Sequence, residues 1–207
     1  YANAENYDLS ISADSPLLTA ATDGGAIGDP RWVPNVNLVA HWAFNETTGT
    51  TAADELGYST GTLYNASDEV HVEGFLGNAV DFSSGTSESY IEVPSNDYID
   101  FDSETSFSIS VLLKIDELST DTDQNIVFKG NTSNDIDGHW YALTIKNNEL
   151  RFAIDDTENK SQLALENASE VMDLEGWNHI VGVRDRDLDS MFLYLNGKQV
   201  ASMPDAT

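Results

Sequence analysis

Along residues 107–115, FSISVLLKI, apolar and polar side chains alternate. Phe107, Ile109, Val111, Leu113 and Ile115 fall on one face, Ser108, Ser110 and Lys114 on the other, and Leu112 breaks the phase. Extended backbone sends successive side chains to opposite faces, so a period of two predicts a half-buried antiparallel strand. The runs WYALTI (140–145) and ELRFAI (149–154) flank Lys146-Asn147-Asn148. Asn tolerates positive φ, which predicts a hairpin turn there. WNHIVGVR (177–184) pairs in the same way with MFLYLN (191–196) across DRDLDS, and Asn196-Gly197 turns the chain again into KQVAS. AVDF (79–82), YIEV (90–93) and NIVF (125–128) are further short strands, and no segment carries a sustained helical period with caps. Many short strands with regular turns predict an all-β protein, a two-sheet antiparallel jelly-roll sandwich.

Residues 1–36 break this pattern. They hold one short apolar stretch, then Gly24-Gly25, Asp29-Pro30 and Pro34. Gly and Pro at that density mark turns and a boundary. Residues 1–36 therefore read as an exit segment or linker from an upstream domain, and residues 37–207 as the sandwich. Tyr1, with no charged-then-apolar leader at this end, reads as the start of a fragment or a processed chain.

Composition narrows the function classes. The 207 residues hold 9 Lys and Arg against 36 Asp and Glu, a net charge of −27. Phosphate backbones and anionic lipid surfaces demand basic patches, so nucleic acid and direct membrane binding are excluded as partners. No apolar run is long enough to insert into a bilayer. Such a surface suits a secreted or cell-surface protein, of the kind bacteria display, and it attracts divalent cations. Cysteine is absent, so disulfides, thiolate metal sites and cysteine nucleophiles are excluded.

Catalytic chemistry finds little purchase. His179 lies inside a strand with Val181 and Val183 on its own face, which predicts a structural role. Retaining glycoside hydrolysis needs two carboxyl groups about 5 Å apart on one side of the substrate. Glu170 and Asp173, three apart, would point opposite ways on a strand, and EVMDLE reads instead as the turn before Trp177. Asp185, Asp187 and Asp189 open like an EF-hand loop, but its sixth position is Ser190 and its twelfth Asn196, not Gly and Glu. For sugar, NDIDGHWYAL offers Asp135, Asp137, His139 and Trp140 where a loop enters a strand, with Arg151 on the facing hairpin strand. Pyranose faces stack on aromatic rings, so these residues are the candidate carbohydrate site; burial of Trp140 in the core is the alternative.

The ordered set of strands resembles the laminin-G-like branch of the concanavalin A-like lectin/glucanase superfamily over residues 38–203. LVAHWAFNETTGTTAADELG resembles that family's opening strand and acidic loop, GFLGNAVDFSS and SYIEVP its next two strands, TSFSISVLLKI its long central strand, and GWNHIVGVRD with MFLYLNGKQVAS its hairpin. Leu112 stands where the family usually has Trp. The resemblance implies that Asn45, Glu46 and Asp54 bind Ca²⁺; a solvated acidic loop is the alternative. It also implies a closing strand that SMPDAT does not supply, to be completed by another domain or chain. Ser15-Pro16-Leu17-Leu18 before a Gly-rich stop resembles the last coil of a bacterial parallel β-helix. The expected function is a non-catalytic, extracellular glycan-binding or adhesion module of a larger protein. The alternatives are an accessory module of a polysaccharide-degrading enzyme and a structural spacer or interaction domain.

Overall fold

The computed structural model describes residues 38–83, 89–119, 122–130, 139–156 and 159–207. The segment 1–36, with its expected β-helix likeness, and the candidate site residues Asp135 and Asp137 lie outside the described residues. Among the described residues thirteen strands are formed: β1 (Thr51–Ala52), β2 (Gly61–Tyr64), β3 (His71–Glu73), β4 (Asn78–Val80), β5 (Tyr90–Glu92), β6 (Phe107–Lys114), β7 (Gln124–Lys129), β8 (His139–Lys146), β9 (Glu149–Asp156), β10 (Lys160–Leu165), β11 (Trp177–Asp185), β12 (Ser190–Leu195) and β13 (Lys198–Pro204). Two four-stranded sheets, ordered β10-β9-β8-β7 and β13-β12-β11-β6, make the jelly-roll sandwich. Two smaller sheets, β1-β2-β5 and β3-β4, come from the N-terminal part of the described chain. The pairings within these sheets are antiparallel.

The expected turns form for the expected reason. Asn147 and Asn148 have φ of 52° and 60°, and Asn196 and Gly197 have 51° and 77°. Positive φ at both central residues is the backbone twist that joins two antiparallel strands tightly. Between these turns, alternation sends one side of each strand inward. Leu143, Ile145, Leu150 and Phe152 from one sheet meet Ile180, Met191 and Leu193 from the other, all fully buried. Burying each such side chain contributes roughly 1.5–3 kcal/mol before the entropy of ordering it is subtracted. The Phe152 ring packs against the bare backbone of Gly182 on β11: a Cβ there would lie 2.7 Å from the ring. Phe107 closes one end of the core, stacked on Phe101 at 4.4 Å and edge-on to Phe152 at 6.1 Å.

One expectation is corrected. Residues 38–44 do not form the opening strand; among the described residues their one β-bridge is Trp42 to Asp54, and hydrogen bonds from the Glu55 amide to the His41 carbonyl, from the His41 amide to Asp54 and from the Trp42 indole to the Ser59 carbonyl hold them in place. β6 and β13 are the outer strands of their sheet.

The same end of the sandwich holds a buried ionic clasp. Arg184, on the inward face of β11, donates from Nε to Asp205 at 2.7 Å and from Nη2 to the main-chain oxygen of Thr207 at 2.7 Å. Arg186 adds a second bond to Asp205 at 3.0 Å. The side chains of Arg184 and Asp205 are 2% and 0% exposed. Burial pushes the Asp205 carboxyl up, but hydrogen bonds from Thr207, Arg184 and Ser161 outweigh it and hold the group down at about 2. A folded-state value below the unfolded one stabilises the fold above the unfolded value, and that contribution is lost as pH falls through the folded value.

Two outcomes follow from this packing. Gly182→Ala should destabilise the domain by about 1–3 kcal/mol, because the methyl group must displace a ring in a filled core; denaturant unfolding with a midpoint equal to wild type would contradict the close approach. Stability should fall as pH drops from the ordinary Asp range, 3.8, towards 2. Part of that fall should be absent in Asp205→Asn, which is less stable at neutral pH; parallel pH–stability curves for the two proteins would refute the assignment.

Candidate functional site

The inward commitments of β7–β10 decide what their outer face presents. With Tyr141, Leu143 and Ile145 packed on the core, Trp140, Ala142, Thr144 and Lys146 point away from it. On β9 the core takes Leu150, Phe152 and Ile154 and leaves Arg151 and Ala153; on β10, Lys160 and Gln162 are left. Ala142 pairs directly with Ala153, so small side chains meet in the middle of a face whose margins carry long ones. The result is a cleft of about 290 Å³ on the outer surface of this sheet.

Its two ends differ. At one end Phe128 and Trp140 stack with centroids 6.1 Å apart and planes 24° from parallel. The Lys160 ammonium lies over the Trp140 ring, 4.8 Å from its centroid. At the other end are polar groups: Asn125, Thr144, and Lys146 paired with Asp123 at 2.8 Å. Arg151 donates from Nε and Nη2 to one oxygen of Glu149, at 2.8 and 2.6 Å. Its Nη1 makes no hydrogen bond among the described residues, so the guanidinium keeps donors for a ligand.

Of the candidate sugar residues, Trp140 and Arg151 line this one cleft. His139 is the first residue of β8, and Asp135 and Asp137 are outside the described residues. Phe128, Lys146, Lys160 and Gln162 were not singled out from the sequence. Alternation in KSQLAL places Lys160 and Gln162 outward and was available as a signal. Phe128 was hidden by an irregularity in β7 between Asn125 and Val127, which lets both Ile126 and Val127 pack on the core and turns Phe128 out beside Trp140.

The three residues expected to hold calcium do not converge on a cation. Asp54 is 5% exposed and accepts four backbone N–H bonds, from His41 and Leu56 on one oxygen and from Tyr58 and Ser59 on the other. A carboxylate has about four lone-pair sites, so those of Asp54 are filled. Burial pushes its carboxyl up, and the backbone donors outweigh that and hold it below the ordinary range. Asn45 accepts from the Asn78 amide at 3.0 Å, and Glu46 accepts from Ala53 at 2.7 Å while its Oε2 is buried without a partner. Among the described residues no group of three or more His, Asp or Glu comes together in a way that could hold a metal ion. As placed, Asp54 has no lone pair left for a cation.

His179 stands on β11, where its Nε2 meets Ser110 Oγ of β6 at 2.8 Å. Its backbone is tied at both polar groups to Asn196, donating to Oδ1 and accepting from the amide, each at 2.8 Å. Among the described residues no carboxylate bonds its Nδ1, so the orienting third group of a nucleophile–base relay is missing. Asp173 is likewise taken up locally, its Oδ1 accepting from the Glu175 amide at 3.0 Å.

A family model of the laminin G type, described as concanavalin A-like lectin/glucanases superfamily, matches residues 84–207. The matched stretch begins after β4, so residues 38–83 lie outside it. No curated protein matches the chain. Among solved structures, the CBM40 of the Ruminococcus gnavus IT-sialidase, bound to α2,3-sialyllactose, is similar at 18% identity and TM-score 0.40, over 48% of this chain and 53% of that one. Domains LG4-5 of the mouse laminin α1 chain are similar at 11% identity and TM-score 0.35, over 61% of this chain and 36% of that one. The chain thus spans about half the length of the first and about a third of the second.

Because Asp54 gathers four amides, Asp54→Ala should leave several of them without an acceptor. Each buried donor so orphaned costs about 1–3 kcal/mol, or roughly tenfold in local opening. Amide hydrogen exchange at His41, Tyr58 and Ser59 should therefore quicken by at least about tenfold. Unchanged protection at these three amides would show that Asp54 does not organise the loop.

Proposed function

The chain belongs to the concanavalin A-like lectin/glucanases superfamily, and from that premise we propose that it is a non-catalytic glycan-binding module whose ligand lies in the cleft on the outer face of β7–β10. The observation that carries this reading is the aromatic wall of Trp140 and Phe128 standing over a floor of alanines. Ala142 and Ala153 leave room for a pyranose to descend beside the Trp140 ring, where its C–H face meets the π-system. Around that floor, Asn125, Thr144, Arg151 and Gln162 supply donors and acceptors at the level of the ring hydroxyls. A small polar set on an apolar base is the composition that fixes a sugar's orientation without holding it covalently.

The carboxylate content of the cleft supports binding rather than hydrolysis. Among the described residues its lining holds one acid, Asp123, and that acid is paired with Lys146. Two-carboxylate glycoside chemistry requires an acid and a nucleophile or base flanking the bond. The setting we propose is a secreted or cell-surface protein of which this module is one part, its charge of −27 keeping it soluble and apart from its own copies.

A glycan array followed by calorimetry on the best ligand tests the proposal. Trp140→Ala should weaken binding by at least about tenfold, the usual loss when a central aromatic anchor is truncated. Trp177→Ala, on the opposite sheet, should leave it unchanged. Equal affinities for wild type and Trp140→Ala, with both proteins folded by circular dichroism, would remove the site from consideration.

A further inference from the structure

We infer that the sugar recognised in this cleft carries a negative charge, a carboxylate or a sulfate, on one residue of an otherwise neutral glycan; the inference rests on the reading of the cleft as a glycan site. Charge placement is the first ground. Among the described residues, Lys146, Arg151 and Lys160, three of the chain's 9 Lys and Arg, line this cleft, against one acid, Asp123. Glu149, paired with Arg151, and Asp155, in register with both Trp140 and Lys160, flank it on β9. Counting these, cations match carboxylates here, in a chain where carboxylates outnumber cations 36 to 9. An anion meets less repulsion there than the overall charge of the chain would give.

The second ground is the position of Lys160. Its ammonium covers one face of the Trp140 ring at 4.8 Å, and both groups line the cleft. A neutral sugar that stacks there displaces the cation from the ring and offers it only hydroxyl acceptors, weaker partners than an anion. An acidic sugar displaces it and supplies a partner for the ammonium, while Arg151 offers its free Nη1 donors to the same group.

The third ground limits the ligand to a single charge. A polyanion reaching beyond the cleft meets the field of a −27 chain, which acts over roughly 8 Å at physiological salt. The cleft volume of about 290 Å³ sits at the small end of ligand sites and suits one or two rings.

The test is an array of matched oligosaccharides that differ only in bearing a neutral, a uronate or a sulfated sugar at the same position, read with the whole chain and followed by calorimetry. Acidic members should bind at least about tenfold tighter than their neutral partners. The tighter of the uronate and sulfate arms identifies the source of the charge. Lys160→Met should weaken acidic binding and strengthen neutral binding, because the ring face is uncovered; Lys160→Arg should keep the acidic preference. Neutral members binding as tightly as acidic ones, with that binding lost in Trp140→Ala, would overturn the charge inference and leave the glycan site standing. No binding by any member would overturn both.

Discussion

The Phe152 ring against the bare backbone at Gly182 sets the spacing of the two sheets, and much of the molecule is arranged around it. A side chain on Gly182 would push the sheets apart at their centre; a smaller residue at Phe152 would leave a void there. With this contact made, Leu143, Ile145 and Leu150 must face Ile180, Met191 and Leu193. Strand alternation then allows no choice about what the other side of β8 and β9 presents. Trp140, Thr144 and Arg151 face outward because their neighbours in sequence are claimed by the core. The cleft is in that sense the reverse side of the hydrophobic core, and a one-residue slip would turn Trp140 inward if in β8, or Arg151 if in β9, and erase it.

Charge is organised on a separate plan. A surplus of 27 negative charges repels itself, and the fold tolerates it by keeping most carboxylates in water. The exceptions are held by donors on every side. Asp54 is wrapped in amides, and Asp205 is clasped by Arg184 and Arg186. The few cations are concentrated. Arg184 and Arg186 go to the clasp, and three others go to the cleft. Few cations remain for the rest of the surface, which is why the cleft differs so much in character from its surroundings.

Much of this was legible in the residues. Period-two alternation marks the strands of both large sheets, and Asn147-Asn148 and Asn196-Gly197 mark their turns, because both signals are local. Trp140 and Arg151 could be named because they lie on adjacent arms of one hairpin, where a short turn fixes the register. Phe128 and Lys160 could not be joined to them. Their strands reach the hairpin through longer connections, and the irregularity in β7 reverses the face of Phe128 without any mark in NIVF. Asp54 illustrates the opposite error. An acidic residue in a Gly- and Thr-rich loop looks like a metal ligand until its hydrogen bonds are known, and those come from backbone amides that side-chain pattern does not display. The stretch LVAHWAF resembles the family's opening strand; apart from the Trp42 bridge it has no ladder partner among the described residues.

The central claim is that the outer face of β7–β10 receives the ligand. The chain has four Trp residues, and each indole N–H gives its own signal in a two-dimensional nitrogen–proton NMR spectrum. Titration with a bound glycan should move the Trp140 indole signal together with backbone amides of β8, β9 and β10, while the Trp42 indole, donating to the Ser59 carbonyl, and the Trp177 indole stay where they are. A titration that shifts Trp42 or Trp177 and leaves Trp140 unmoved would contradict the account.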